Sequence, residues 1–482
     1  MRRAIGALLL TSLALAATAC GGSSKGSASG GESAATLVPQ SAVAFVALNT
    51  DLSSGQWKTV DGLLQKFPAR DQLLASIRSQ LTQQGVDWEK DVKPALGKEL
   101  DVAVLSISGS SAGKTDAVAF LKPNDEGKLN ALLEKGTGQK PVHEKIEGWT
   151  AIAQSQSTLD EIKNRKGKPL SDDSDFSDAM GKLPSEAVAK FYVAGTALQQ
   201  ALSQSRFGAA GSALPTGNFR FVTGAIEAKA NGFKLSATTK GSGTGAGSTF
   251  RSQFLSKVPA GAYAFISFRG SEKLLSQLQS NAQLQQVLPQ LEQALGVTVS
   301  ELASLFTNEG ALWVRQGTPI PEVTLALKVD NQQKALSIVD RLAQRAGALT
   351  GGAAPRPTTI AGVSAKQLPL GKFSLFYAAF DGNLVITTAQ SGISGLKQSG
   401  SKLADDATFK EAKDAAGMPD STSGFLYLNL KDSIPLIESL AQLGGQNIPS
   451  DVQANLAPLH SFLAYAKIGG GEGTFTAFLE IK

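Results

Sequence analysis

The chain is written twice, and that duplication constrains its fold more than any other feature. A proline-led phrase recurs four times: Val38-Pro39-Gln40-Ser41-Ala42-Val43-Ala44-Phe45, Leu183-Pro184-Ser185-Glu186-Ala187-Val188-Ala189-Lys190-Phe191, Val258-Pro259-Ala260-Gly261-Ala262-Tyr263-Ala264-Phe265 and Met418-Pro419-Asp420-Ser421-Thr422-Ser423-Gly424-Phe425. Small residues follow the proline at three and five positions, and Phe stands at six, or at seven in the phrase ending at Phe191. Proline is tolerated where a strand begins and has no N–H for a central ladder, so each phrase reads as a turn feeding a strand. The alternating small side chains predict one strand face pressed closely against another element, a helix being one candidate. Most phrases run on into helical spacing, as in Ser271 to Leu278 and Asp432 to Leu440.

Other words pair between the halves in the same order. Leu121-Lys122-Pro123-Asn124 with Lys128 matches Leu327-Lys328-Val329-Asp330 with Lys334, each a strand end leading into an amphipathic helix. Glu147-Gly148-Trp149 matches Asp381-Gly382-Asn383 as a hairpin turn, and Ala153-Gln154-Ser155 matches Ala389-Gln390-Ser391. Leu170-x-Asp172-Asp173-x-x-Phe176 matches Leu403-x-Asp405-Asp406-x-x-Phe409, each ahead of its own proline phrase. Ordered matches with a drifting offset mark tandem duplication with insertions. Most of the extra length in the second copy lies between Lys334 and Gly382, where Ala346 to Pro357 reads as a loop or lid. The expected fold is α+β: two tandem related units, each a mainly antiparallel sheet packed with helices. The units span residues 36–240 and 253–482, with a Gly-rich linker at 241–252. Alternation in Phe219 to Lys240 and in Phe475 to Lys482 closes each unit with strands.

Ahead of the duplicated body stands an apolar leader. Met1-Arg2-Arg3 precede an uncharged run from Ala4 to Ala19, and the chain's single cysteine, Cys20, ends it. A basic start, an apolar middle and the small residues Ala17-Thr18-Ala19 predict an export signal over residues 1–19, too short to span a bilayer stably. The pattern of lipoprotein signals predicts Cys20 as the lipid attachment site, although Ala17 stands where Leu is usual. Two acyl chains on Cys20 suffice for stable anchoring where one would be marginal. Residues 20–35 form the lipidated cysteine and a Gly/Ser tether of ~20 Å reach. The expected location is extracytoplasmic, by the general secretory route. One cysteine excludes an intrachain disulfide.

The Leu/Val-Pro phrase near the start of the body, Leu-x-Asp-Asp-x-x-Phe before a second such phrase, and the leader together resemble a family of uncharacterised bacterial lipoproteins. That family is common in actinobacteria and is described as domain-of-unknown-function family 3352. The resemblance covers nearly all of residues 36–482 and implies a fold family and a location, with no activity and no catalytic residues.

The residues themselves offer little chemistry. Without Arg2 and Arg3 the body carries 44 basic and 41 acidic residues, dispersed among one another, so nothing marks a nucleic-acid surface. His143 and His460 are the only histidines, and no Gly-x-Ser-x-Gly elbow is present. His143 reads as a surface residue and His460 as packed or capping; a zinc site is not expected from ligands so far apart. Asp172-Asp173 and Asp405-Asp406 recur, either as a cation site in each half or as helix-start signals, and the second reading is preferred. The Gly-rich stretches 241–247 and 469–473 lack the Lys-Ser/Thr of a phosphate loop. Trp57, Trp88, Trp149 and Trp313, with Phe373, Phe376, Tyr377 and Phe380, could line a groove but read as core. The expectation is a non-enzymatic, lipid-anchored envelope protein that binds a partner or serves a structural role, with no cofactor and no metal. The alternative is a carrier or solute-binding lipoprotein holding a small or lipidic ligand between the two units. Besides the membrane, the expected partners are an envelope protein or such a ligand, and not nucleic acid.

Overall fold

In the computed structural model the described residues are 33–107, 115–135, 140–197, 218–242, 248–270, 282–318, 320–349, 354–371, 373–443 and 445–482. The chain divides into two compact units, one of residues up to 244 with 448–458 and 481–482, the other of 245–447 with 459–480. Of the expected linker, Gly241 and Ser242 end a strand, Phe250 bridges to Thr422, and 243–247 lie outside the described residues.

The first unit holds eight strands: β1 (Ala44–Asn49), β2 (Glu99–Ile107), β3 (Thr115–Leu121), β4 (Val142–Ile146), β5 (Trp149–Ala153), β6 (Ala189–Ala194), β7 (Asn218–Lys229) and β8 (Gly232–Ser242). They pair antiparallel throughout, in the order β4-β5-β3-β2-β1-β6-β7-β8. The second unit repeats this plan with β9 (Ala262–Arg269), β10 (Glu309–Arg315), β11 (Glu322–Lys328), β12 (Arg356–Ile360), β13 (Val363–Leu370), β14 (Phe373–Phe380), β15 (Asn383–Thr387), β16 (Gly424–Asn429), β17 (Leu459–Gly469) and β18 (Glu472–Ile481). Its order is β12-β13-β14-β15-β11-β10-β9-β16-β17, again antiparallel at each pairing. The α+β reading holds.

All four proline phrases feed strands, and within each unit the two strands so fed pair with each other, β1 with β6 and β9 with β16. The small residue three positions after each proline is buried: Ala42, Ala187, Ala262 and Thr422. The helices Ser174–Gly181 and Ala407–Ala416 pack on the side of Phe45 and Phe265, and the helix Leu430–Leu443 also meets β9, where Ser433 Oγ donates to Tyr263 O at 3.3 Å. Register also corrects the phrase alignment. Phe45 faces Tyr192 and Phe265 faces Tyr427, so the equivalent anchors are the two tyrosines, each eight residues past its proline. Phe191 and Phe425 are not counterparts.

Two hairpins confirm the paired turn words. Glu147-Gly148 join β4 to β5 with φ of 46° and 83°, and Asp381-Gly382 join β14 to β15 with φ of 49° and 75°. Both central residues have positive φ, as a type I′ turn requires. Most of the described extra length of the second copy is regular structure, with the expected loop narrowed to the stretch between helix and strand. It extends α3 (Gln332–Leu349) well beyond its counterpart α1 (Glu126–Lys135) and adds the hairpin β12–β13. Ala346 to Leu349 belong to α3, Arg356 and Pro357 begin β12, and 350–353 lie outside the described residues. The helical reading of Ser271 to Leu278 also falls outside them, whereas that of Asp432 to Leu440 lies within the helix Leu430–Leu443.

Each unit has its own core on the Phe face. In the first, Phe45, Phe120, Trp149, Tyr192 and Phe221 pack with Phe176 of α2 (Ser174–Gly181). In the second, Phe265, Trp313, Tyr427 and Phe478 pack with Phe409 of α4 (Ala407–Ala416). A further core in the second unit joins α3 to Leu327, Leu368, Tyr377 and Leu384.

Candidate functional site

One acid of each recurrent pair is a helix cap. Asp173 caps α2 by accepting from the N–H groups of Asp175 (2.9 Å) and Phe176 (3.0 Å), and Asp406 caps α4 by accepting from Phe409 N–H at 3.1 Å. The second oxygen of each carboxylate reaches the proline phrase: Gln40 Nε2 donates to Asp173 at 2.8 Å, and Gly261 N–H to Asp406 at 3.1 Å. The preceding leucine is buried in both units, and its N–H donates to the residue before the proline, Leu170 to Val38 and Leu403 to Val258. Leu-x-Asp-Asp-x-x-Phe is therefore a clamp that ties a helix start to a strand start. Asp172 and Asp405 are exposed, and Lys410 lies 3.3 Å from Asp405.

The phenylalanine of each clamp lands between two strand aromatics. Phe176 meets Phe45 at 5.4 Å and Tyr192 at 5.1 Å between ring centroids. Phe409 meets Tyr427 at 5.1 Å and Phe425 at 6.1 Å. Burial, with the charges of Asp173 and Asp175, pushes the Tyr192 hydroxyl up to about 12. Tyr427 is raised further, by burial and by the charges of Asp406, Asp432 and Glu480. Neither phenol ionises at physiological pH, so neither serves as a base there.

A second pair of carboxylates escaped the sequence reading. Asp101 is fully buried and accepts from Ala34 N–H (2.9 Å) and Ser33 Oγ (3.3 Å) at the start of a short 3₁₀ turn. In the other unit, buried Glu309 accepts from Ser252 Oγ (2.9 Å) and Gln253 N–H (2.8 Å) at the equivalent turn. By register the counterpart of Asp101 is Ala311, two residues on from Glu309. The register counterpart of Glu309 is Glu99, so the two units hold the equivalent turn from neighbouring same-face positions of the strand, Asp101 in one and Glu309 in the other. Burial and the neighbouring Glu99 push the Asp101 carboxyl well above the usual range.

The aromatic candidates other than Phe373 are buried or packed against a core. Trp57, Trp88, Trp149 and Trp313 are buried; Trp57 donates to Asn49 O at 2.7 Å and Trp313 to Glu322 Oε1 at 3.0 Å. Phe376 and Tyr377 are buried, Phe380 packs against the core, and Phe373 is exposed. His143 sits on the exposed side of β4.

His460 does not stand apart. On β17 its Nε2 lies 3.6 Å from Glu411 Oε2 of α4, and Glu480 of β18 joins them, the three ligand atoms lying within 4.8 Å of one another. No spacing motif announces this set, because 49 residues separate Glu411 from His460 and 20 separate His460 from Glu480. Beside α4 the second unit also opens a cleft of ≈ 800 Å³. Leu255, Met418 and Phe425 line it beside Arg251, Lys257 and Lys413, and Asp420 pairs with Arg251 and Lys413 at 2.6 Å each.

Residues 3–145 and 135–466 match one family model, described as "Protein of unknown function (DUF3352)". The chain belongs to this family. The match falls in two overlapping segments. As a DUF3352 protein the chain acquires a family but no activity from it. No curated protein matches the sequence. Two solved chains, described as crystal forms IV and III of TP0453, are similar at 15% and 12% identity, with TM-scores of 0.26 and 0.24. Each match covers 48% of this chain, and 81% and 93% of those chains respectively. Cys20 lies outside the described residues, and no helix among the described residues is long and apolar enough to cross a membrane.

Proposed function

We propose that this DUF3352 protein is an extracytoplasmic lipoprotein, of the type common in actinobacteria, held at the membrane by a diacylglyceryl group on Cys20. Its body acts by binding an envelope partner or as a structural part of the envelope, not by catalysis. The observation that carries this reading is the chain's single cysteine, placed where an apolar leader ends and a Gly/Ser tether begins. The body supports it, because the acids that recur between the units, Asp173 and Asp406, are occupied as helix caps. Metabolic labelling with radioactive palmitate tests it: the wild type takes up label and Cys20→Ala does not. Equal labelling of the two ends the reading.

A second reading, that the protein carries a small or lipidic ligand, is favoured by the cleft beside α4, which sets apolar side chains next to cationic ones. Native mass spectrometry of the delipidated protein separates the two. A co-purifying molecule favours the carrier, and an empty chain favours the partner-binding or structural body.

A further inference from the structure

We propose that Glu411, His460 and Glu480 form a binding site for one divalent transition-metal cation of the Zn²⁺ class. The three ligands come from three elements, α4, β17 and β18, and their donor atoms already lie within 4.8 Å of one another. Tetrahedral zinc with ligands at ~2.0–2.2 Å holds its donors ~3.3 Å apart. The His460–Glu411 separation of 3.6 Å is close to that. Glu411 is the exposed member, on a long side chain that can rotate inward to close the rest.

The site is graded in burial. Glu480 is fully buried, and Ser461 Oγ donates to its Oε2 at 2.7 Å, fixing the carboxylate as an outer-shell partner does. The His460 side chain is 12% exposed and that of Glu411 49%. A cation would enter from the Glu411 side and keep an open coordination position there. An imidazole with two carboxylates suits a borderline cation; Ca²⁺ and Mg²⁺ prefer all-oxygen sets.

The duplication supplies an internal comparison. Arg220 of β7 and His460 of β17 each stand one residue before the equivalent paired positions Phe221 and Ser461. Arg220 forms a bidentate pair with Asp175 of α2, the helix equivalent to α4, through Nε at 2.9 Å and through Nη2. The first unit thus places a permanent cation against one carboxylate. The second places an imidazole beside two carboxylates.

Isothermal titration of Zn²⁺ into the tag-free full-length chain, stripped with chelator and held in detergent at pH 7.5, tests the site. One Zn²⁺ per chain is expected, with affinity at least tenfold weaker in both Glu411→Gln and His460→Gln. Tenfold excess Ca²⁺ leaves the wild-type isotherm unchanged. Glu411→Gln, at an exposed helical position, keeps the test independent of any folding defect at the buried Glu480. Zn²⁺ that fails to bind, or that binds both variants as tightly as the wild type, overturns the proposal and leaves a histidine ion pair. Displacement by Ca²⁺ overturns the metal class.

Discussion

Asp173 and Asp406 differ from the aspartates just before them in one respect: their carboxylates meet N–H groups that the helix cannot satisfy internally. Loss of such a cap costs ~1–2 kcal/mol. Asp173→Ala and Asp406→Ala are each expected to lower stability by about that amount in urea denaturation, while Asp172→Ala and Asp405→Ala stay within ~0.5 kcal/mol of the wild type. A cation site shared by each pair would instead make both members matter and would add Ca²⁺ dependence. Phe409→Ala, which empties the space between Tyr427 and Phe425, should cost more, ~3–5 kcal/mol.

The Asp173 carboxyl also sets a pH dependence. Burial opposes its ionisation, but hydrogen bonds from Gln40 and from the N–H groups of Phe176 and Asp175 outweigh burial and hold it below the usual range. A carboxyl lowered in the folded state stabilises the fold at pH above its unfolded value of ~3.9 and loses that contribution as pH falls through the lower folded value. The stability gap between wild type and Asp173→Ala is therefore expected to be widest near neutrality and to shrink below about pH 4. A gap that widened on acidification would contradict the cap.

At the scale of elements, the hairpins are the most legible parts of the chain. Glu147-Gly148 and Asp381-Gly382 adopt the positive φ values that the turn words imply, because a two-residue connection between right-twisted strands leaves few alternatives. Gly382→Ala forces a Cβ onto φ of 75° and should cost ~1 kcal/mol, read as a lower denaturation midpoint at unchanged m. The clamp words were legible for the same local reason. What escaped was set by pairing across the sheet. Tyr192 and Tyr427 are equivalent only through their partners Phe45 and Phe265, while the written phrase ends on a different aromatic. Asp101 and Glu309 do the same work from positions two residues apart in register, which no alignment of words reveals. The stretch Ala346 to Pro357 reads as a loop or lid because Gly, Ala and Pro cluster there, yet its ends belong to α3 and β12 and only the residues between can be loop.

For the molecule as a whole, duplication explains the architecture and divergence explains what chemistry is left. The clamps, hairpins and aromatic anchors recur, whereas Arg220 of one unit and His460 of the other differ in chemistry at neighbouring positions of the two sheets. Metal stoichiometry of one per chain, not two, follows from that asymmetry. Location rests on the other end of the chain. The most direct measurement is the mass of the N-terminal peptide of the protein extracted from membranes. The account predicts a peptide that begins at Cys20 and carries a diacylglyceryl group. A peptide beginning anywhere else, or an unmodified Cys20, would contradict it.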